Sequence, residues 1–123
     1  MKTNAKLVTT LILDCSERDV TRVALVRGDD ITYLEENARA QEVQTLTKKL
    51  LKAQKVSLTQ LDRIAVAVQP GSLTGVRIGV VAANTMAWLL QKPIVELTEP
   101  KFEAALGQLL KTKTERKLAR VRD

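Results

Sequence analysis

The sequence predicts an α/β domain built on one five-stranded mixed sheet, and the prediction rests on the spacing of apolar residues and on the order of the predicted elements. Short apolar, β-branched runs alternate with segments in which apolar residues recur every three or four positions, so strands and helices are mixed along the chain. The first three predicted strands follow one another closely, whereas each of the last two is preceded by a helical segment. Closely spaced strands form an antiparallel meander and parallel pairs need a crossover, so the order is β-β-β-α-β-α-β-α with helices packed on the sheet.

Five segments have the composition of strands. Residues 7–14 (LVTTLILD) form the apolar run of a central strand that is buried on both faces. Residues 19–27 alternate in polarity, and after a turn at Gly28-Asp29-Asp30 residues 31–35 form the third strand. The fourth and fifth strands are predicted at residues 63–68 (RIAVAV) and 92–97 (KPIVEL).

Three segments have the periodicity of helices. Residues 39–55 are amphipathic, with lysines opposite the apolar positions, and a short capped turn follows at Ser57–Leu61. Residues 73–91 form the second helix, which is apolar nearly all round, with Ser72 as its N-cap. Residues 98–110 form the third helix.

The third helix should have Thr98 as its N-cap and Pro100 in its first turn.

Length and composition limit the classes of function. A chain of 123 residues with 45% hydrophobic residues fits one globular domain. Cys15 is the only cysteine and there is no histidine, which excludes a disulfide within the chain, Cys/His zinc sites and histidine-activated nucleophiles, while carboxylate-bound Mg²⁺ stays open. The longest mostly apolar run, Ile78–Leu90, is shorter than a bilayer requires, and the N-terminus lacks a small-x-small cleavage site. We expect a cytoplasmic protein without a membrane segment.

The net charge of +6 is concentrated in residues 111–123, which hold six Lys or Arg against two acids. We interpret this basic tail as a solvated, partly helical end, because no aromatic residues interleave with its charges. Contact with nucleic-acid phosphates is the alternative, and binding would then weaken steeply with salt.

The stretch QPGSLTGVRIG, residues 69–79, has two interpretations. As a phosphate or nucleotide loop it would act together with the turn after the first strand, in a set comprising Asp14, Cys15, Ser16, Pro70, Gly71 and Ser72. The stretch lacks the lysine and the spacing of a P-loop, however. We favour a structural junction in which Ser72 caps the helix and Gly71 adopts a dihedral that other residues avoid.

Single residues near these motifs favour local roles. Asp14 is expected to cap the turn that follows it, and Cys15 to be an inert small residue. Trp88 is expected to be a core or interface anchor rather than a base-stacking platform. Arg77 lies in an apolar helix, where a charge needs a carboxylate or phosphate partner.

Small side chains recur every four residues along the second helix, at Gly75, Gly79, Ala83 and Ala87. Glycine within a helix costs about 1 kcal/mol relative to alanine, so this row indicates a steric demand. Close packing against the sheet or against another helix would supply that demand.

Two motifs make the chain similar to the TsaB (YeaZ) family. Members of that family have Asp-Thr-Ser after their first strand and later Gly-Pro-Gly-Ser-Phe-Thr-Gly-Val-Arg-Ile-Gly. Here Asp14-Cys15-Ser16 stands at the first place, and residues 69–79 match the second at nine of eleven positions. The resemblance extends over roughly residues 7–110 and implies a single actin-like, RNase H-like half-domain, followed by the basic tail at 111–123.

The resemblance implies a non-catalytic subunit of the machinery that makes threonylcarbamoyladenosine (t6A) in tRNA. Such a subunit pairs with a TsaD-like transferase, meets a TsaE-like ATPase indirectly, reaches tRNA through the complex and can form homodimers. Family members usually continue into a second related domain, which we expect to be absent here, so we expect no intrinsic cofactor. ATP or ADP with Mg²⁺ would be held only at a site shared within the complex. Alternatives are a nucleotide-binding or protease-like half-domain that acts alone, or a homodimeric interaction module.

The sequence departs from the family pattern at four places. Gln69 replaces a glycine, Leu73 a phenylalanine and Cys15 a threonine, and the histidine usual near the first helix is missing. Pairing through the first two helices is not affected by these changes, although both helices could instead merely cover the sheet. The expected interface comprises Val43, Leu46, Thr47, Leu50, Gly75, Val76, Arg77, Gly79, Val80, Ala83, Asn84, Ala87 and Trp88.

Overall fold

The computed structural model describes residues 7–69, 71–99, 102–111 and 119. Its strands are β1 (Thr9–Asp14), β2 (Thr21–Arg27), β3 (Asp30–Glu36), β4 (Arg63–Ala67) and β5 (Ile94–Leu97). Its α-helices are α1 (Val43–Gln54), α2 (Leu73–Leu90) and α3 (Phe102–Lys111), and single 3₁₀ turns lie at Ala40–Glu42 and Leu58–Gln60. The element order agrees with the sequence prediction.

The five strands form one mixed sheet in the order β3-β2-β1-β4-β5. The meander β1-β2-β3 is antiparallel, whereas β4 pairs in parallel with both β1 and β5. All six residues of β1 are buried, which confirms its predicted central place. The edge strand β3 is largely exposed and has charged residues at its ends.

Alternating side chains divide the core between the two faces of the sheet. Leu11 and Leu13 of β1 belong to a large cluster with α1 and α2. Ile12, between them, belongs to a smaller cluster with α3 on the opposite face. Helices α1 and α2 therefore cover one face, and α3 covers the other.

The boundaries of the predicted elements shift where local hydrogen bonds compete. The 3₁₀ turn Ala40–Glu42 stands in place of the predicted start of the first helix, and α1 begins at Val43. Thr98 is not the N-cap of α3, since its N–H donates to the side chain of Gln108 and its hydroxyl accepts from the same amide. The capped turn at Ser57 is confirmed, as a capping box with Gln60.

Two predictions fall on residues that the structure does not describe. Pro100 lies outside the described ranges, as does the basic tail except for Lys111 and Ala119.

By length and composition, α2 is the one helix in the described ranges that could cross a membrane. One side of this helix forms the core against the sheet, as expected for the central helix of an α/β domain.

Candidate functional site

The two sequence motifs meet where β1 ends and α2 begins. The N–H of Ser72 donates to the carbonyl oxygen of Ser16 at 2.6 Å, which ties the two loops together. The Ser72 hydroxyl accepts from the N–H of Gly75 at 3.3 Å, so the predicted N-cap is confirmed. Because β1 and β4 are parallel, this junction lies at the carboxyl end of the parallel strands, where α/β proteins commonly bind ligands.

Two glycines at this junction are required because the backbone at the start of α2 lies very close to the backbone at the end of β1. A Cβ at Gly71 would lie 2.3 Å from the carbonyl oxygen of Ser16, and one at Gly75 would lie 2.2 Å from that of Cys15. The predicted reason for Gly71 is wrong, since among the described glycines only Gly28 has a positive φ.

The row of small residues in α2 packs on the sheet. Gly75, Gly79, Ala83 and Ala87 are all buried, and a Cβ at Gly79 would meet the Cys15 side chain at 3.3 Å. Of the two steric demands considered from the sequence, close packing against the sheet therefore explains the row.

Asp14 does not face α2. Its carboxylate accepts from the N–H of Ser16 at 3.0 Å and from the Ser16 hydroxyl at 2.6 Å, so its predicted turn-capping role is confirmed. Its other oxygen lies 3.6 Å from the guanidinium of Arg22. This arginine also bonds Glu17 and Glu35 and lies over the ring of Phe102 in α3. Asp14 is thus an anchored, paired carboxylate on the α3 face.

Cys15 lies on the α2 side and is chemically quiet. It is 2% exposed, and burial, with the nearby charge of Asp14, raises the pKa of its thiol to about 12. A thiol with that pKa is protonated at neutral pH and is a poor nucleophile. Among the described residues, no cluster of three His, Cys, Asp or Glu could hold a metal ion.

A cleft of about 580 Å³ opens beside the junction, between the β1–β2 loop, the first 3₁₀ turn and the start of α2. Cys15, Gly71 and Ser72, from the predicted phosphate loop, contribute to its wall, whereas Pro70 lies outside the described residues. Arg18 and Arg39, which sequence reasoning missed, line it together with Glu17 and Asp19. The charged groups of these four side chains could bind a ligand in the cleft. The Cys15 thiol in its wall is protonated at neutral pH.

The accessible surface of α2 differs from the predicted interface. Val81, Trp88 and Leu89 are 64%, 69% and 67% exposed and lie on one side of the helix, with Trp88 and Leu89 about two turns after Val81 and the exposed Thr85 between them. We call these four residues the outer face of α2. Of them, the sequence prediction named only Trp88.

Most of the predicted interface residues are buried in the core of the chain itself. These are Val43, Leu46, Thr47, Leu50, Gly75, Val76, Gly79, Val80, Ala83 and Ala87. These residues lie between the helices and the sheet, so they would support an interface rather than touch a partner.

The remaining predicted residues, Arg77 and Asn84, differ in their surroundings. Arg77 is exposed and makes no ion pair with a described residue, so the predicted carboxylate or phosphate partner across an interface stays a prediction. Asn84 is half-buried and bonds the backbone of Ala119.

Comparisons with known proteins agree with this geometry. A family model described as TsaD, tRNA N6-adenosine threonylcarbamoyltransferase, matches residues 35–114. The tRNA threonylcarbamoyladenosine biosynthesis protein TsaB of Bacillus subtilis (strain 168) is 37% identical over 106 residues, which cover 82% of this chain and 45% of that protein. The chain belongs to the TsaB (YeaZ) family. The resemblance expected from the two motifs is confirmed.

Solved structures support the same assignment. YeaZ from Pseudomonas aeruginosa has a TM-score of 0.69 and 30% identity, over 75% of this chain and 44% of that one. A second structure, described as an uncharacterized protein with similarity to peptidase YEAZ from the same species, has a TM-score of 0.70 at the same identity and coverage. The actin-like α/β fold is therefore confirmed, and this TsaB-family chain spans less than half the length of these relatives.

The sequence interpretation also missed Arg22, although the sequence contains a signal for it. It lies opposite Asp14 in the β1–β2 register and opposite Glu35 in the β2–β3 register. An alignment of the three predicted strands by their turns would have placed a basic residue between two acidic ones.

Proposed function

We propose that the chain is a non-catalytic subunit of the machinery that makes t6A in tRNA, and that it pairs with a TsaD-like transferase. The observation that carries the proposal is the exposed apolar outer face of α2 in a chain of the TsaB family. A TsaE-like ATPase would act through the complex, which would also be the route to tRNA. The cytoplasm, where tRNA is modified, is the proposed location.

The outer face has the character of a protein contact. Val81, Trp88 and Leu89 lie together on a helix that the sheet already fixes from the other side. A rigid apolar face that includes a tryptophan is typical of the central part of a protein interface.

The neighbouring helix gives the proposed partner surface a charge. Lys48 and Lys52 are exposed on α1, which contacts α2, whereas Lys49 pairs with Glu36 of β3 at 3.4 Å. A matching partner would therefore be apolar opposite α2 and acidic opposite α1.

A supporting role fits the chemistry of the strand-end junction better than catalysis does. The Cys15 thiol has a raised pKa, and the Asp14 carboxylate is engaged with Ser16 and Arg22. Neither group is free to act as a nucleophile or a general base.

Co-purification with the TsaD-like protein of the same organism tests the proposal, followed by measurement of t6A formation on tRNA. Val81→Glu places a charge in the outer face, and we expect it to weaken pairing at least tenfold, since burying an unpaired charge is costly. The t6A yield of the reconstituted assembly should fall in parallel.

Ile31→Glu is the matched control. Ile31 is exposed on β3 and lies opposite Val26, which belongs to the α3-face cluster, so it lies on the other side of the sheet. This variant should pair normally. Equal loss in both variants, or no loss in Val81→Glu, would contradict the proposed surface, and a homodimer that excludes the transferase would favour the interaction-module alternative.

Calorimetric titration with ADP or ATP separates a supporting subunit from a nucleotide-binding half-domain. We expect no binding by the chain alone. Micromolar binding would favour the alternative and would direct attention to the cleft lined by Arg18 and Arg39.

A further inference from the structure

The two edges of the sheet differ in how much they leave open. Strand β5 ends one edge and has four mostly buried residues. Strand β3 ends the other edge with seven residues, none of them buried. Its pairing with β2 runs through all seven residues without a bulge, and within the described ranges no further strand pairs with it. Because alternate residues of an edge strand point their N–H and C=O groups away from the sheet, β3 offers a regular row of backbone groups to an added strand.

Apolar side chains accompany this open backbone on the α3 face. Ile31 and Tyr33 lie on that face, since their partners in β2 belong to the cluster with α3. They are nevertheless 39% and 54% exposed. The ring of Phe102 in α3 supports Tyr33 at a centroid distance of 5.5 Å, and the Arg22 guanidinium lies 5.6 Å over the Phe102 ring. Tyr33 is therefore supported by its neighbours, while much of its surface stays available for contact.

The inner edge of β3 shows which kind of strand suits its side chains. Arg27 of β2 lies opposite Asp30. Arg22 lies opposite Glu35 and bonds its carboxylate, which remains half-exposed. The four residues of β2 between these arginines are apolar, and the whole strand has the sequence TRVALVR. An antiparallel strand on the outer edge would meet the same β3 side chains, so the same pattern of basic and apolar residues suits that edge.

A second copy of this chain fits the open edge poorly. A symmetric antiparallel pair of β3 strands centred on Tyr33 would place Asp30 of each copy opposite Glu36 of the other. It would also place Ile31 opposite Glu35. Like charges directly opposite each other destabilise a strand pair. The acidic ends of β3 therefore oppose self-pairing and favour a basic strand.

We propose that the outer edge of β3 is a docking site for an extended segment of a protein partner. The segment adds as an antiparallel strand, with basic residues opposite Asp30 and Glu35 and apolar residues between them. Helix α2 packs on β1, β4 and β5, whereas β3 ends the sheet beyond β2. The site is therefore separate from the outer face of α2, and the inference does not rest on pairing with a TsaD-like protein.

A labelled, end-blocked peptide with the β2 sequence TRVALVR is the probe for this edge. Fluorescence anisotropy with the full chain should show saturable binding, and the peptide TEVALVE should bind at least tenfold more weakly. Saturating TRVALVR should slow exchange of the β3 amides that point away from β2 at least tenfold and leave the α2 amides unchanged. No saturable binding up to millimolar peptide, or protection outside β3, would overturn the proposal.

A charge swap tests the register of the added strand. In the antiparallel arrangement the last peptide residue lies opposite Asp30 and the second lies opposite Glu35. Asp30→Lys should therefore bind TRVALVE at least tenfold more tightly than TEVALVR, a peptide of the same composition and charge. Wild type should bind these two peptides about equally. Equal binding by Asp30→Lys, or the opposite preference, would overturn the antiparallel docking.

Variants with unchanged charge at β3 complete the test. Tyr33→Ala should bind TRVALVR at least threefold more weakly, because it removes exposed apolar surface next to the added strand. Val81→Glu, on the outer face of α2, is the matched control and should bind the peptide like wild type. A wild-type dimer that TRVALVR dissociates would place a second copy on this edge and overturn the proposed occupant.

Discussion

The same glycine-to-alanine change should have opposite effects in α2 and α3. At Gly75 the added Cβ would lie 2.2 Å from the carbonyl oxygen of Cys15, about 1 Å closer than an ordinary carbon–oxygen contact. At Gly107 in α3 the added Cβ meets nothing within 4 Å. The pair therefore isolates close packing from helix propensity.

The magnitudes follow from these contacts. Forcing a methyl group into a packed site costs about 1–3 kcal/mol, and the upper end applies at Gly75 because the neighbouring Ser16 carbonyl is fixed by its bond to Ser72. Alanine in place of glycine returns up to about 1 kcal/mol of helix propensity. We expect Gly75→Ala to lower the free energy of unfolding by about 2 kcal/mol, and Gly107→Ala to raise it by up to about 1 kcal/mol.

Thermal and urea unfolding, followed by far-ultraviolet circular dichroism, measure the difference. At about 4 °C per kcal/mol, the two variants should melt roughly 10 °C apart, on either side of wild type. A Gly75→Ala protein as stable as Gly107→Ala would refute the close approach of α2 to the end of β1.

Three further predictions concern the same junction. Cys15 should resist thiol reagents at pH 8 until the chain is unfolded, and labelling kinetics measure this. The folded state should also lose stability as the pH rises from 9.0, the ordinary thiol pKa, to about 12, because only the unfolded thiol ionises in that range. Melting temperatures measured across this pH range check the second expectation. Arg22→Met should lower the free energy of unfolding, measured in urea, by about 3 kcal/mol, because it leaves the buried Asp14 carboxylate without its cationic partner. Adding Asp14→Asn should recover part of that loss. Gly79→Ala should change stability by less than about 1 kcal/mol, since the Cys15 side chain at 3.3 Å needs to move only slightly, and an unfolding loss as large as that of Gly75→Ala would contradict this.

The order of the elements was predictable because each strand or helix has a strong local signal. The uninterrupted apolar run of β1 predicts burial on both faces, and the structure confirms it. Ser72 before an apolar helix predicts the cap that is observed. The role of Thr98 was not predictable, because Gln108 binds Thr98 across ten residues, and local pattern does not encode such a contact.

The site was less predictable because its defining contacts join distant segments. The requirement for glycine at position 71 comes from the Ser16 carbonyl, and the partner of Asp14 is an arginine on another strand. Composition indicated correctly that Cys15 is inert, but the cause is its burial against α2, which only the fold supplies.

Hydrophobic periodicity did not predict which face of α2 is exposed to a partner. Val80 and Val81 are adjacent and equally apolar, yet Val80 is 6% exposed and packs in the core, whereas Val81 is largely exposed. In an amphipathic helix such as α1, polar residues mark the side that faces solvent, but α2 is apolar nearly all round and lacks that mark. Glutamate at Val80 would therefore test the stability of the core, and only glutamate at Val81 tests pairing. A loss of pairing by Val81→Glu with an unchanged melting temperature would assign the outer face of α2 to a partner.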